Sequence, residues 1–306
     1  MKDAAIAFDT SNYTTSCAVF DGECGENSGR LLDVRQGELG LRQSDALFSH
    51  VKRLPEIVEK LPSDLNIIAV GASSKPRETE DSYMPCFLAG ASQGRVLARL
   101  LGVPFFEFSH QQGHIAAAAW SAGRMDLLKV PHLAWHLSGG TTELLFVRPE
   151  GIAVRCEIAG GTNDLAAGQL IDRTGQLLGL KFPSGKELDR LASVAEKRDA
   201  FTPKSEGLFF SVSGIEHKMK KLFESGESAE NIAYFSIASI VSAVHMITEK
   251  ALARFGDMPV LYSGGVASNS LLRKLTNGGV FAEPRYSTDN AMGVAILTYR
   301  AVKENG

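Results

Sequence analysis

The chain has 306 residues, of which 44% are hydrophobic and 22% charged, and its formal net charge is −3. This charge excludes a protein that holds nucleic acid through its overall charge alone, although a local basic patch is compatible with it. No apolar run approaches the roughly 18 residues of a membrane span, and Asp3 and Asp9 interrupt the N-terminal stretch that a signal peptide would keep apolar. The four scattered cysteines contain no CxxC pair, which predicts neither a zinc cluster nor a disulfide framework and fits the reducing cytoplasm.

The first third of the chain alternates short apolar runs with helical patterns. Apolar residues recur at three- and four-residue steps from Leu47 to Leu61, which is typical of an amphipathic helix that Pro55 should kink. Residues 73–85 are charged and rich in proline, which predicts an exposed loop, and a helix should follow as far as Leu101. The predicted strands are 4–8, 15–20, 31–34, 67–70 and 104–108.

The second half begins in the same way as the first. Strands are predicted over 133–137, 142–147 and 153–158, with a glycine- and hydroxyl-rich turn between the first two. The shared order of strand, polar turn, strand, strand and helix indicates a duplicated α/β unit. A further strand is expected over 260–263. The later helices are expected over about 163–178, 185–195, 231–255, 268–275 and 289–302.

Two pairs of histidines stand four residues apart. His110 and His114 follow Ser109, a good N-cap, so both imidazoles should lie on one helix face and could share a metal ion. Two polar residues near a helix start would give the same pattern. His132 and His136 lie in a predicted strand, where four residues span roughly 13 Å, so they cannot chelate one ion together.

Three turns combine glycines or hydroxyls in the manner of phosphate-binding loops. They are Asp9–Ser11, Ser138–Thr142 and Tyr262–Asn269, and each follows a predicted strand. None has the spacing of a P-loop or a GxGxxG fingerprint, and a tight hairpin would explain the second one equally well. Asp172 and Asp189 bracket a Pro-Ser-Gly turn, where carboxylates can accept bonds from a ribose or simply cap helices. Asp289 reads most simply as an N-cap.

Six segments closely resemble, in order, the motifs of the TsaD family of tRNA threonylcarbamoyladenosine synthases, once called O-sialoglycoprotein endopeptidases. The resemblance implies an α/β fold of two duplicated RNase H-like lobes, as in the actin and Hsp70 ATPases, with a cleft between them. The first lobe would comprise 1–104 and 280–306, and the second 105–279. The segments are FSHQQGHIAAA, LSGGTTELLFV, residues 168–189, FSVSGIEHKMKKL, GGVASNSLLR and STDNAMGVA.

The resemblance also implies the roles of individual residues. His110, His114 and Asp289 match the ligands of one iron or zinc ion, and we hypothesise that His136 is a fourth ligand. The adenine nucleotide would be threonylcarbamoyl-AMP or ATP. Its phosphates would bind to His136, Leu137, Ser138, Gly139 and Gly140. Its nucleoside would contact Asp172, Gly185, Asp189 and Asn269.

The implied reaction transfers threonylcarbamoyl from its adenylate to the exocyclic amine of the tRNA adenosine next to the anticodon. Implied partners are an adenylate-forming enzyme, a small ATPase and a helper subunit. We also expect a homo- or heterodimer, and no association with a membrane. The basic residues that could contact RNA, or that could equally well form an ordinary solvated surface, are Lys204, Lys218, Lys220, Lys221, Arg273 and Lys274.

The chain also departs from the family pattern. Thr141 follows the two glycines where the family usually has His or Asn. The family's N-terminal motif ETSCDET corresponds to residues 9–15 here, which lack its second acid, and residues 71–78 replace a glycine-proline-glycine loop. These departures leave open a carbamoyltransferase with a non-tRNA acceptor. A nucleotide-binding partner subunit without activity is a further alternative, although the histidines argue against it. A metalloprotease is disfavoured because Gln111, not Glu, follows His110.

Overall fold

The computed structural model describes residues 1–11, 13–33, 41–79, 82–276, 278–288 and 290–305. The chain divides into two compact units. The first contains Met1–Val130, Arg148–Cys156 and Asp289–Gly306, and the second contains Pro131–Val147 and Glu157–Thr288. The division differs from the predicted one, which broke the chain after residue 104, because the helix that follows Ser109 packs against the C-terminal helix and so belongs to the first unit.

Most strands extend the predicted ones by a few residues, whereas several helices are shorter than predicted or begin later. The strands are β1 (Lys2–Ser11), β2 (Thr14–Phe20), β3 (Gly25–Leu31), β4 (Leu65–Lys75), β5 (Phe105–Ser109), β6 (His132–Leu137), β7 (Thr142–Glu150), β8 (Ala153–Thr162), β9 (Ser205–Glu206), β10 (Phe209–Phe210), β11 (Val260–Ser263) and β12 (Val280–Phe281). The helices are α1 (Gln43–Val58), α2 (Leu88–Leu101), α3 (His110–Ser121), α4 (Ala167–Leu177), α5 (Gly185–Ser193), α6 (Ser213–Glu224), α7 (Ala229–Phe255), α8 (Ser270–Leu275) and α9 (Met292–Asn305).

The first unit is built on a five-stranded sheet in the order β3-β2-β1-β4-β5. β1 runs parallel to β4, and β4 runs parallel to β5, whereas β2 is antiparallel to both of its neighbours. Residues 4–11 of β1 are buried, as expected of a central strand covered on both faces. The carboxyl ends of β1, β4 and β5 therefore meet at one edge of this sheet.

Two predictions in the first unit are wrong. The third strand was expected over 31–34, but β3 covers Gly25–Leu31, and Val34 lies outside the described residues. Its sequence, GENSGRL, is polar because β3 is an edge strand with mostly exposed side chains, so it carries no apolar signal. The loop expected from residue 73 also begins later, since β4 continues to Lys75 with Ser73 buried.

The second unit contains most of a seven-stranded sheet in the order β12-β11-β6-β7-β8-β10-β9. β6 lies between its parallel neighbour β11 and its antiparallel neighbour β7. The core of this unit joins Trp135 of β6 to the long helix α7, where the indole Nε1 donates a hydrogen bond of 2.9 Å to Thr248 Oγ1.

Within the described residues, α7 is the helix whose length and apolar composition would suit a membrane span. Most of its 18-residue apolar window is buried inside the protein, which is the pattern of a core helix.

Candidate functional site

The histidine pair of the candidate metal site lies at the carboxyl edge of the first unit's sheet. β1 pairs with β4 up to Phe8 and Ala72, and β4 pairs with β5 up to Lys75 and Ser109. Asp9, the residue of β1 that follows the last pair with β4, therefore lies at the same edge at which β5 ends and α3 begins. Side chains from segments far apart in sequence meet there because parallel strands end together.

A capping box fixes the first turn of α3, as the sequence predicted from Ser109. The Ser109 hydroxyl accepts a hydrogen bond from the Gln112 amide at 3.2 Å, and Gln112 Oε1 accepts one from the Ser109 amide at 2.9 Å. Gln112 Nε2 also donates to the Val154 carbonyl at 2.9 Å. These contacts hold the start of α3 against its neighbours and so set the direction of the two histidines that it carries.

His110 and His114 converge through their Nε2 atoms, which lie 2.9 Å apart. The rings are almost perpendicular, at 77°, and their centroids are 4.3 Å apart. Two imidazole nitrogens on a tetrahedral zinc ion lie about 3.3 Å apart, given zinc–nitrogen distances of about 2.0–2.1 Å. Imidazole nitrogen also suits iron. The pair thus fits the first two ligands of an iron or zinc ion with little adjustment.

Two further ligands were predicted for this ion. Asp289 lies outside the described part of the chain, and His136 belongs to the second unit. There His136 Nδ1 is 3.4 Å from Ser263 Oγ. Among the described residues, no three His, Cys, Asp or Glu side chains are arranged to share one ion. The metal assignment therefore stays a prediction that rests on the histidine pair.

A buried histidine on α1 belongs to the same unit and carries no sequence signal. His50 is fully buried, and its Nδ1 lies 2.8 Å from Thr15 Oγ1. Burial lowers the pKa of His50 to about 4, with a smaller lowering by the Arg53 charge and an opposing effect of the Asp9 carboxylate. His50 is therefore neutral at neutral pH.

The predicted phosphate-binding turn is a tight connection between β6 and β7 in the second unit. The Ser138 amide donates to the Thr141 carbonyl at 2.8 Å, and the Thr141 amide donates to the Ser138 hydroxyl at 3.1 Å. Thr141 thus closes the turn through its backbone, so the turn does not depend on the His or Asn usual in the family. Gly139 and Gly140 lie exposed at its tip.

Two further backbone segments border this turn. The N-terminus of α4 approaches it, since the Gly168 amide donates to the Ser138 carbonyl at 3.2 Å and a Cβ on Gly168 would lie 2.6 Å from Gly139 Cα. The second glycine turn approaches from β11, where Gly264 has φ +93° and an added Cβ would lie 2.2 Å from the Leu137 carbonyl oxygen. Turn glycines and a helix N-terminus together form a setting that suits an anion.

The predicted nucleoside-binding residues cluster in the second unit, but they already serve the fold. Asp172 on α4 accepts a hydrogen bond from the Ser184 amide at 3.0 Å, just before Gly185 begins α5. Asp189 on α5 accepts bonds from the Ser270 amide at 2.8 Å and the Ser270 hydroxyl at 3.0 Å. Asn269 caps α8 by accepting the Leu272 amide at 2.9 Å. Asp189 thus caps α8, as the capping alternative expected, whereas Asp172 holds the residue that precedes α5, and ribose binding stays a prediction for both.

Comparison with known proteins follows from these features. The family model of TsaD, the tRNA N6-adenosine threonylcarbamoyltransferases, matches residues 83–296. A tRNA N6-adenosine threonylcarbamoyltransferase of Thermus thermophilus is 34% identical, over 82% of this chain and 77% of its own. The chain belongs to the TsaD family. It is accordingly an enzyme of the transferase class. The equivalent protein of Streptococcus pneumoniae is 29% identical, over 99% of this chain and 93% of its own.

Solved structures support the predicted fold class. Component A of (R)-2-hydroxyglutaryl-CoA dehydratase from Acidaminococcus fermentans has a TM-score of 0.60 at 14% identity, covering 99% of this chain and 100% of its own. The HypF protein of T. kodakarensis has a TM-score of 0.59 at 15% identity, covering 99% of this chain and 48% of its own. The TsaD-family chain therefore has the two-lobed α/β fold of the actin and Hsp70 ATPases, as predicted.

The match to the TsaD model contains both histidines and both glycine turns, but it begins after Asp9 and His50.

The basic residues that were predicted as possible RNA contacts differ in their surroundings. Lys220 pairs with Glu216 at 2.8 Å, and Arg273 donates to the carbonyls of Ala267 and Ala282, so these two side chains serve the fold. Lys218 and Lys221 instead line an open cavity of about 440 Å³ beside α6 and α7.

Gly139 and Gly140 offer a test of the phosphate-binding turn that the fold should tolerate. An added Cβ at either position meets no atom within 4 Å, so alanine should change the free energy of unfolding by less than about 0.5 kcal/mol. If a phosphate occupies that space, Gly139→Ala and Gly140→Ala should each weaken ATP binding at least tenfold in a calorimetric titration. Gly214→Ala on α6 is the matched control, since its Cβ would meet only Phe201 at 3.8 Å. Unchanged ATP affinity in both turn variants would contradict the assignment.

Proposed function

We propose that this chain transfers a threonylcarbamoyl group from threonylcarbamoyl-AMP to the N6 amine of the tRNA adenosine next to the anticodon. The observation that carries the proposal is the convergence of His110 and His114 at 2.9 Å in a member of the TsaD family. The names of the relatives support tRNA as the acceptor. Membership in a family of transferases argues against a nucleotide-binding subunit without activity, and such a subunit would not require two converging histidines.

The reaction forms one bond and breaks another. The adenosine N6 attacks the carbamoyl carbon, the bond from that carbon to the phosphate oxygen breaks, AMP leaves with the electron pair, and N6 loses a proton. An iron or zinc ion held by His110, His114, Asp289 and His136 would act as a Lewis acid toward the threonylcarbamoyl group.

The remaining groups would bind the leaving AMP. The turn at Ser138–Gly140 and the N-terminus of α4 favour negative charge, which suits the phosphate as it separates from the carbamoyl carbon. Asp172, Gly185, Asp189 and Asn269 would hold the nucleoside through atoms that their own hydrogen bonds have already fixed in place. Unpaired presentation of the adenosine suits an anticodon loop.

The net charge of −3 limits how tRNA can be held. Lys218 and Lys221, which line the cavity beside α6 and α7, are the best placed of the basic residues for phosphate contacts. The remaining grip would come from partners, which we propose to be an adenylate-forming enzyme, a small ATPase and a helper subunit. The assembly would contain a homo- or heterodimer and work in the cytoplasm.

Removing one histidine of the pair should abolish transfer without unfolding the protein. In His114→Ala, labelled threonylcarbamoyl should reach tRNA at least a hundredfold more slowly, because the ion would lose one of its four proposed ligands and with it half of the converging histidine pair. ATP affinity should stay unchanged. His245→Ala, which removes an exposed imidazole on α7, is the control and should transfer normally. A His114→Ala enzyme with normal transfer would overturn the proposal.

His136 is tested separately as the fourth ligand. His136→Ala should lower the metal retained after dialysis against a chelator, measured by elemental analysis, whereas unchanged metal content would reject His136 as a ligand. A protein that holds metal and nucleotide but labels no tRNA would favour the alternative of a small-molecule acceptor.

A further inference from the structure

The carboxylate of Asp9 is buried beside the histidine pair and divides its two oxygens between two partners. Asp9 lies two residues before the end of β1 and is 1% exposed. Its Oδ1 accepts a hydrogen bond from the Ser11 amide at 2.9 Å, and its Oδ2 lies 2.6 Å from His110 Nδ1. The first contact is local, within β1. The second joins residues 101 positions apart in sequence.

A carboxylate only accepts hydrogen bonds, so the contact at Oδ2 requires a proton on His110 Nδ1. In a neutral imidazole this leaves a lone pair on Nε2, the atom that faces His114 Nε2 at 2.9 Å. A histidine binds a metal through a nitrogen that carries no proton, and the hydrogen bond at the other nitrogen selects that state. The contact with Asp9 therefore presents the lone pair of His110 at the point where the two rings converge.

We propose that Asp9 is a positioning residue, which fixes His110 as the Nδ1–H tautomer and directs its Nε2 toward the metal. This inference rests on the proposed metal site. Asp9 would not itself touch the metal or the substrate. Its short side chain and its bond to the Ser11 amide leave the carboxylate little freedom, so the orientation of the imidazole is set before a metal arrives.

Asp9→Asn reverses the hydrogen-bonding pattern with almost no change of shape. The Ser11 amide can only donate, so the single amide oxygen of the new side chain should stay on Ser11. Its NH₂ group then faces His110 and donates to Nδ1, which moves the imidazole proton to Nε2. The variant should keep its fold, switch the His110 tautomer and lose at least tenfold in Co²⁺ or Zn²⁺ affinity, within the range of about 10- to 100-fold known for such partners.

The tautomer is measured first, in metal-free protein, from imidazole ¹⁵N shifts and long-range ¹H–¹⁵N correlations. Wild-type His110 should show a protonated Nδ1, and Asp9→Asn should show a protonated Nε2. Affinity is then measured by Co²⁺ titration, following the visible absorption of the bound ion. Asp21→Asn is the matched control, because Asp21 also accepts backbone amides at a strand end, from Glu23 and Cys24, and none of its hydrogen bonds within the described residues involves an imidazole. It should change neither reading.

The outcomes separate this inference from the proposed function. A wild-type His110 protonated on Nε2, or an Asp9→Asn variant with unchanged tautomer and Co²⁺ affinity, would overturn the role of Asp9. If Asp9→Asn fails to fold, the wild-type tautomer still decides. If Asp9→Asn changes the tautomer and the metal affinity as expected, but the wild-type protein transfers no threonylcarbamoyl, the role of Asp9 stands and only the proposed function is rejected.

Discussion

Gly293→Ala should destabilise the first unit by about 3 kcal/mol or more, and it should weaken metal binding at the proposed site as a consequence. At this glycine α9 crosses α3, and an added Cβ would lie 1.7 Å from the Gly113 carbonyl oxygen and 2.9 Å from the Ala117 amide nitrogen. Both are backbone atoms of α3, so the rotation of a side chain cannot relieve the overlap. The two helices would have to separate, and Gly113 lies between His110 and His114.

Gly113→Ala is the matched control at the same crossing. Its Cβ would meet the Val294 side chain at 3.0 Å, a contact that a small shift relieves, and alanine also gains up to about 1 kcal/mol of helix propensity. Urea unfolding followed by circular dichroism should therefore separate the two variants by at least about 2 kcal/mol. Equal stabilities would show that α9 does not cross α3 as closely as described.

Stability should fall as the pH drops from about 6.5 to about 4, with a large contribution from His50. The ordinary pKa of 6.5 applies to the unfolded chain, and burial lowers the pKa to about 4 in the folded protein. Between these values the unfolded state takes up a proton that the folded state excludes, so protonation favours unfolding. The contribution of the neutral His50 to the free energy of unfolding is fully present above pH 6.5. It is lost progressively below that pH, and the loss reaches about 3 kcal/mol at pH 4.

The test compares urea unfolding of wild type and His50→Gln at several pH values. Glutamine is polar but does not titrate, so the difference in unfolding free energy between the two proteins should change by about 2–3 kcal/mol between pH 7 and pH 4. His245→Gln, on the exposed side of α7, should keep the wild-type slope. A parallel pH dependence in wild type and His50→Gln would contradict the burial of a neutral imidazole at this position.

The central parts of both sheets could be predicted from sequence because their strands are buried. β1 and β6 are short apolar runs with polar ends, and the structure extends them by only a few residues. β3 could not be found, since an edge strand of polar residues is stabilised by its pairing with β2 and not by burial. The sequence of α6 was identified only as part of a family motif and not as a helix. Its many polar residues give a weak helical pattern, and the helix is stabilised by packing on α7.

The candidate site shows a similar division. His110 and His114 could be predicted as a pair because helical spacing alone brings them together. Asp9 could not, since its contact with His110 depends on the order β1-β4-β5, and no local pattern records that order. Asp172 and Asp189 illustrate the opposite limit. The motif identifies them, but their hydrogen bonds go to the backbone at the start of neighbouring helices, a role that no spacing distinguishes from ribose binding.

One measurement tests the proposed reaction most directly. The metal-loaded protein is mixed with threonylcarbamoyl-AMP, labelled in its threonyl part, and with unmodified tRNA, and the nucleosides are separated after digestion. Label should appear in the adenosine next to the anticodon, and it should be absent with His114→Ala. A protein that retains metal and consumes the adenylate, yet leaves that adenosine unlabelled, would contradict tRNA threonylcarbamoylation as its function.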